Sequence, residues 1–489
     1  YTRSVLKMTS EAEETGGSKF LMKPQPKELY VEDPSTFIGV EGAALTTGQG
    51  AQKSDTNGAA ATQSDDACSE TPEQEHSRNV SVGVAAVMLV AEMAGSGVLS
   101  LPRALANTGW GGVALIIVIG LGVGLSGSRL GLCWVLLEEK YPQYRKACRT
   151  PYAVIGYTAL GRPGKLIVIV AQTLTLVGVT TVFLIMSGDL LQALLGEIAP
   201  SVFSSHCYCT LIVGAFLIPL SWLGSPKDFW ATAVVAMVTT VLAVIVVVVM
   251  LFVQSSSYQD TKYKDVTFSS FFLGFGTILF SFGGAATFPT IQNDMKNRSK
   301  FPYSVAIAFS ALLVMYIPIS TVGYGIVGAN VPSNILRAVS GYVVQVTQGL
   351  VVLHLLTAYV ILVNPVTQGL EEFFNLPTKF SWQRCILRTL LVLFEIVIGL
   401  AIPDFGKILN LVGASTVALM SFVMPPICYL RLCDELNDFG EPARGVPYYE
   451  RMILLFVLLT GLCGGVVATW SAIGDITTGS LHAPSSCFF

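Results

Sequence analysis

The residues of this chain best placed to do chemistry are few, and most of them lack reactive side chains. Glycine and serine interrupt a long apolar stretch at Gly95-Ser96-Gly97, with Pro102 seven positions after Gly95. A second apolar stretch is interrupted at Gly283-Gly284, with Pro289 six positions after Gly283. Glycine costs about 1 kcal/mol in a helix interior, so glycines clustered in two separate apolar helices predict that both unwind there. A broken helix leaves free N–H groups at the start of one half and free carbonyls at the end of the other, each carrying about half a charge. The amides of Ser96, Gly97 and Val98 therefore suit a carboxylate, as helix N-termini hold anions generally. Carbonyls near Ala94, Ser281 and Phe282 suit an ammonium. Gly95, Gly97, Gly283 and Gly284 let the backbone come close to such a zwitterion without a side chain intervening. The competing reading is that these glycines only let helices cross.

Side chains add little to this constellation. Glu92 stands one turn before the first break, and an ionisable group at such a depth is a functional candidate because it is expensive to keep there. It is expected to exchange a proton or to help bind the ammonium; the alternative is a structural glutamate paired with a backbone amide. Thr180, Thr181, His354, Thr357 and Asn410 are candidates for side-chain selectivity, or else for helix–helix hydrogen bonds. The many Val, Leu and Phe residues around these few polar groups point to a substrate with a neutral side chain. Glu395 reads as structural, Arg129 as extending toward the interface, and Asp189 as a cap near the end of its helix. No paired catalytic carboxylates, His/Cys metal cluster or ring of pore charges is found, which excludes an enzyme, a metal site and a channel. No cofactor is implied.

The elements that must hold these groups follow from composition. The chain has 489 residues, of which 52% are hydrophobic and 12% charged, and its mean hydropathy of +0.62 is far too apolar for a soluble domain of this length. It reads as an all-α polytopic membrane protein in a lipid bilayer. A net charge of -3 offers no basic surface for nucleic acid. A hydrocarbon core of about 30 Å needs roughly 20 apolar residues, and this length predicts eleven spans, near 80-104, 112-136, 165-195, 208-224, 228-253, 268-291, 303-327, 341-364, 384-402, 405-430 and 452-474.

Arg and Lys concentrate before the first span and after the even-numbered ones, so the N-terminus is expected in the cytosol and the C-terminus outside it or in a lumen. No signal peptide opens the chain, so the first span is expected to start insertion. Residues 1-78 are rich in polar residues with no apolar periodicity and read as a disordered cytosolic tail, with a cytosolic partner possible. Residues 79-475 form the transmembrane domain and 476-489 a short extracellular or lumenal tail. The membrane is the plasma membrane or a lysosomal or endosomal one. Cys207, Cys209 and Cys487 fall outside the cytosol in this topology, which leaves room for a disulfide among them.

Eleven spans divide as five, five and one: a first repeat at about 80-253, a second at about 268-430, and an extra helix at about 452-474. The two broken helices then open the two halves, which is the LeuT-type 5+5 inverted-repeat arrangement. The run Gly120-x-Gly122-x-Gly124-x-x-Gly127 lies inside the second span with no strand before it, and reads as close helix packing rather than a dinucleotide loop.

At these residues the chain resembles the amino acid/auxin permease family. Gly95-Ser96-Gly97-Val98-Leu99-Ser100-Leu101-Pro102, followed by Gly109-Trp110, is similar to the family's first span. Phe280-Ser281-Phe282-Gly283-Gly284, with Phe288-Pro289-Thr290-Ile291-Gln292 and Met295-Lys296, is similar to its sixth. Tyr359, Pro365 and Glu371, and then Pro403-Asp404-Phe405-Gly406, Leu411-Val412-Gly413-Ala414 and Pro425, extend the match to roughly residues 78 to 475. The resemblance implies an amino acid transporter. The family's sodium-coupled branch has an asparagine where this chain has Ala91, four residues before the first-span Gly-x-Gly, which makes proton coupling the expectation and sodium the alternative. A proton-coupled symporter moving small neutral amino acids toward the cytosol is the reading that results, with an amino acid sensor acting through the N-terminal tail as the other.

Overall fold

A computed structural model describes residues 80–489 apart from 146–147, 149, 197–198, 200–202, 204, 223–228, 259–260, 378–379, 436–441, 483–486 and 488–489. The tail expected over residues 1-78 lies outside the described residues. What is described is helical, and each helix starts or stops where the sequence supplies a suitable residue. Helix α1 (Val82–Met93) begins at Ser81, whose hydroxyl accepts from the Val84 amide. After the Ala94-Gly95 break, α2 (Ser96–Thr108) follows at 55° to α1 and ends at Gly109, whose φ of 66° is readily reached only by glycine.

Helix α3 (Gly111–Lys140) packs beside them, and α4 (Pro151–Leu195) comes next. The third span was expected to start at 165; instead the helical run begins at Pro151 and is kinked at Gly161, φ 71°. The apolar stretch Tyr152–Gly156 is buried, so the protein folds it into the bundle rather than leaving it as a loop.

The remaining helices are α5 (His206–Trp222), α6 (Phe229–Val253), α7 (Phe268–Ser281), α8 (Phe288–Asn293), α9 (Phe301–Val327), α10 (Tyr342–Phe373), α11 (Trp382–Ala401), α12 (Phe405–Val412), α13 (Met424–Asp434) and α14 (Tyr448–His482). Thr267 and Ser270 form a reciprocal capping box at the start of α7, and Ser381 and Asp404 cap α11 and α12. Between α12 and α13 the rod passes through two π-helical turns, Gly413–Val417 and Leu419–Val423.

Seven of the described helices are long and apolar enough to cross a membrane, or eight if α1 and α2 count as one bent span. Three of the expected spans are helices in the expected places that are too short or too charged to meet that test. Helix α5 has 17 residues and α7 only 14, while α11 carries Arg384, Arg388 and Glu395 within its 20. Their charges and length are tolerated because the bundle encloses them: Arg388 is 2% exposed and Glu395 0%. Arg388 donates to Glu371 Oε1 at 2.7 Å and to the Ser221 carbonyl at 2.8 Å. Arg129 was read as extending toward the interface; its guanidinium pairs with Glu450, in the first turn of α14, at 2.5 Å and lies over the Tyr429 ring. Asp189 pairs with Arg337 and also accepts from Asn334.

Close packing explains the glycines of α3. A Cβ at Gly120 would meet the Phe282 ring at 3.0 Å, and one at Gly127 the Phe288 ring at 2.5 Å. Helix α3 thus receives the two aromatic rings that flank the second break. One disulfide joins Cys207 to Cys487, Cα–Cα 5.8 Å, across a sequence separation of 280; Cys209 is free and buried. Cys148 is disulfide-bonded as well.

Candidate functional site

The first break is built by Gly95, at φ −91° and ψ −125°, with no side chain capping α2. The amides of Ser96, Gly97 and Val98 make no hydrogen bond among the described residues, so the start of α2 presents free donors as the sequence predicts. The Ser96 hydroxyl, on a residue 1% exposed, also lacks a partner. In the second span α7 stops at Ser281 and α8 starts at Phe288, leaving Phe282–Thr287 outside both helices.

The two breaks are held against each other. A Cβ on Gly97 would lie 2.7 Å from the Ser281 Cα, so α2 and α7 touch backbone to backbone at this point. Gly274 repeats the contact one step along, against the Ala104 carbonyl and Thr108. The Tyr316 hydroxyl on α9 lies 2.7 Å from the Ser281 carbonyl and 3.0 Å from the Met93 carbonyl. Its single proton serves one of them at a time, and it ties the C-terminal ends of both broken helices to a third. Beyond the second break, Gln172 on α4 donates to the Ala286 carbonyl at 2.9 Å, and the Thr287 hydroxyl donates to the Gly284 carbonyl at 2.9 Å.

A cavity opens beside these breaks. It is lined by Glu92, Met93, Gly95, Ser96, Gly97 and Gly283, by Thr175, Leu176, Val179 and Phe183 of α4, and by Phe280, Ala286 and Leu362. Glu92 is its one ionisable group and also faces the Thr287 hydroxyl. The space open to water there is about 20 Å³, room for a single water molecule and less than any amino acid needs. At the Thr108 end of α2, a separate cleft is bordered by Arg103, Asn107, Lys264, Asp265 and Ser333.

The sequence-derived candidates divide accordingly. Glu92, Gly95, Ser96, Gly97 and Gly283 border the cavity. Ala94, Val98, Ser281, Phe282 and Gly284 stand just behind it: the Ser281 carbonyl faces Tyr316, the Phe282 carbonyl accepts from the Gly284 amide at 3.0 Å, and a Cβ on Gly284 would meet Met93. Those two carbonyls, expected to be free for an ammonium, are thus engaged within the protein.

Thr180 and Thr181 lie on the α4 surface away from the cavity; Thr180 meets Glu395, and Thr181 bonds back to the Val177 carbonyl at 2.7 Å. Thr357 bonds to the Leu353 carbonyl. His354 is buried on α10 with its Nε2 unpartnered, and Asn410 accepts from Thr277. Sequence reasoning missed Thr175, Val179, Phe183, Tyr316 and Leu362. Thr175 lies five residues before the chosen Thr180, and at 3.6 residues per turn that shift changes the helix face. Nothing in the sequence distinguishes Tyr316 from the other tyrosines.

Comparison with known proteins supplies a family and a likeness of fold. Residues 78–471 match the family described as Transmembrane amino acid transporter protein. The amino acid transporter AVT1J of Arabidopsis thaliana is 25% identical over 400 residues, covering 78% of this chain and 88% of its own. The Arabidopsis lysine histidine transporter-like 6 is 27% identical over 423 residues, covering 81% and 91%. Among solved structures, a mutant manganese transporter from Eremococcus coleocola aligns with a TM-score of 0.51 at 14% identity, covering 84% of this chain and 89% of that one, a likeness of fold alone.

Proposed function

This chain belongs to the transmembrane amino acid transporter family, and we propose that it is a secondary active transporter carrying small neutral amino acids toward the cytosol together with a proton. The observation that carries this reading is the start of α2, where three unpartnered amides and the Ser96 hydroxyl surround a cavity whose one ionisable group is Glu92. The substrate carboxylate binds the amides of Ser96–Val98, and the ammonium lies toward Glu92. Phe183, Leu176, Val179 and Leu362 present an apolar surface to a substrate side chain and offer a charged one no partner.

In this reading eleven spans form two inverted halves, α1/α2 and α7/α8 being their broken first members, with the N-terminus in the cytosol. Helices α2 and α7 are packed together at their outer ends, which closes the outward route, and about 20 Å³ of space requires movement of at least one half before a substrate enters. Alternating access by rocking one half against the other around fixed breaks supplies that movement. A proton moving down one pH unit and 100 mV supplies about 3.7 kcal/mol, enough for an accumulation of a few hundred-fold.

The test is uptake of labelled neutral amino acids into proteoliposomes under an imposed pH gradient and, separately, an imposed sodium gradient. Accumulation with the pH gradient alone is the expected outcome. Accumulation with sodium alone overturns proton coupling, and no uptake under either overturns transport and leaves sensing as the role of the site.

A further inference from the structure

Away from the central cavity the bundle encloses a second acid that the reading above does not use. Glu395 on α11 is 0% exposed, and none of the ion pairs among the described residues includes it. Its neighbours are two hydroxyls: Thr180 Oγ1 of α4 is 2.7 Å from Oε1, and Tyr359 Oη of α10 is 2.6 Å from Oε2. Both partner residues are themselves 0% exposed.

The hydrogen count at this cluster is what distinguishes it. Thr180 Oγ1 also lies 2.9 Å from the Leu176 carbonyl and 3.0 Å from the Val177 carbonyl, yet a threonine hydroxyl has one proton to donate. When that proton points at a main-chain carbonyl, the short Oγ1–Oε1 contact requires a proton on Glu395. When it points at Oε1, an ionised Glu395 is satisfied, receiving two donated hydrogen bonds. The same heavy-atom positions satisfy both states. A residue needed only to tie three helices together would do so at lower cost as glutamine, because a carboxylate buried without a cation is expensive.

We propose that Glu395 is a proton-binding site of the transport cycle, taking up H⁺ from one side and releasing it to the other as α4, α10 and α11 shift. This rests on the proton-coupled reading and gives it a carrier group besides Glu92. The cluster shares two helices with the cavity, which is lined by Leu176 and Val179, four and one residues before Thr180 on α4, and by Leu362, three after Tyr359 on α10. Titratable groups on the packed elements are engaged elsewhere or stand apart. On α4 Asp189 is paired with Arg337, and on α5 His206 meets Thr210 while the Cys209 thiol reaches the Phe203 carbonyl. On α10 the buried His354 Nε2 has no hydrogen-bond partner, and on α11 Arg388, seven residues back, is bound to Glu371.

Glu395→Gln tests the assignment in proteoliposomes. Glutamine keeps the shape and both hydrogen bonds, its amide donating to Thr180 and its carbonyl accepting from Tyr359, but it cannot titrate. Substrate exchange without a gradient should persist, while accumulation driven by pH should fall by about tenfold per pH unit of gradient. The carboxylic C=O band in the infrared difference spectrum between acid and alkaline pH should lose the component due to this residue. Full pH-driven accumulation by E395Q, with the band retained, overturns the proposal.

Tyr359→Phe keeps the acid but removes one donor, and should displace the pH midpoint of transport by about one unit. An unchanged profile in that variant also overturns the proposal, including where E395Q fails to fold. Wild-type protein with no pH-driven uptake defeats proton coupling as a whole, whereas coupled wild type with coupled E395Q defeats the Glu395 assignment alone.

Discussion

Gly97→Ala is the most discriminating change at the helix break. The added Cβ would sit 2.7 Å from the Ser281 Cα, where an ordinary contact begins at 3.4 Å. The obstacle is backbone, so α2 and α7 must part by about 0.7 Å, an overpacking strain of roughly 1–3 kcal/mol. The same displacement moves the Ser96–Val98 amides relative to the rest of the cavity. A donor set at about 2.9 Å from a bound carboxylate would retreat past 3.5 Å, where a hydrogen bond is no longer made. Losing one bond to a charged group costs about 1.5–3 kcal/mol, or roughly 10- to 150-fold in affinity.

The expected result is therefore a KM for uptake raised by one to two orders of magnitude, with a lower melting temperature in detergent. Gly97→Val should abolish uptake. Gly83→Ala is the internal control, because a Cβ there meets nothing within 4 Å, and it should behave as wild type in both assays. A G97A protein with wild-type KM and melting temperature would falsify the close α2–α7 crossing and the role of the amides together.

Other consequences are separable. Glu92→Gln should flatten the pH dependence of uptake if the Glu92 carboxyl exchanges the transported proton; an unaltered pH profile assigns Glu92 to substrate binding alone. Tyr316→Phe removes the hydroxyl shared by the Met93 and Ser281 carbonyls and should destabilise the fold by about 1–3 kcal/mol, the cost of a buried acceptor left without its donor. Thermal denaturation checks this, and an unshifted curve would show that the two broken ends do not depend on Tyr316. A protease site inserted between Asp434 and Tyr448 should give two fragments that separate on a denaturing gel only with reductant, since Cys207 and Cys487 lie on opposite sides of the cut; separation without reductant would refute that bond.

How much of the site was legible in the sequence depends on whether a feature is local. The breaks at Gly95-Ser96-Gly97 and Gly283-Gly284 were legible because helix propensity acts within a few residues, and backbone amides need no side-chain partner to be identified. Glu92 was legible because a carboxylate in an apolar run is conspicuous. The face of α4 was not: Thr180 and Thr181 attract notice as a polar pair, but Thr175, Leu176, Val179 and Phe183 are the residues turned to the cavity. Helix orientation is set by everything packed around it, and a helix that is apolar on its exposed side too, as at Leu166 and Leu174, gives no moment from which to read it.

The sequence by itself determined that this is a membrane-embedded helical protein with two interrupted helices, since the solvent demands long apolar segments and glycine clusters weaken them. It also carried the family, through contiguous motifs at both breaks. Only the tertiary structure decided which groups meet. Arg129 read as extending toward the interface, but its partner Glu450, 2.5 Å away, lies 321 residues on. Glu395 read as structural, and only the fold shows Thr180 and Tyr359 converging on both its oxygens. Gly97 was to admit a ligand, and it also admits Ser281. In each case the deciding contact joins residues far apart in the chain, and their meeting follows from packing of the whole bundle rather than from any local rule.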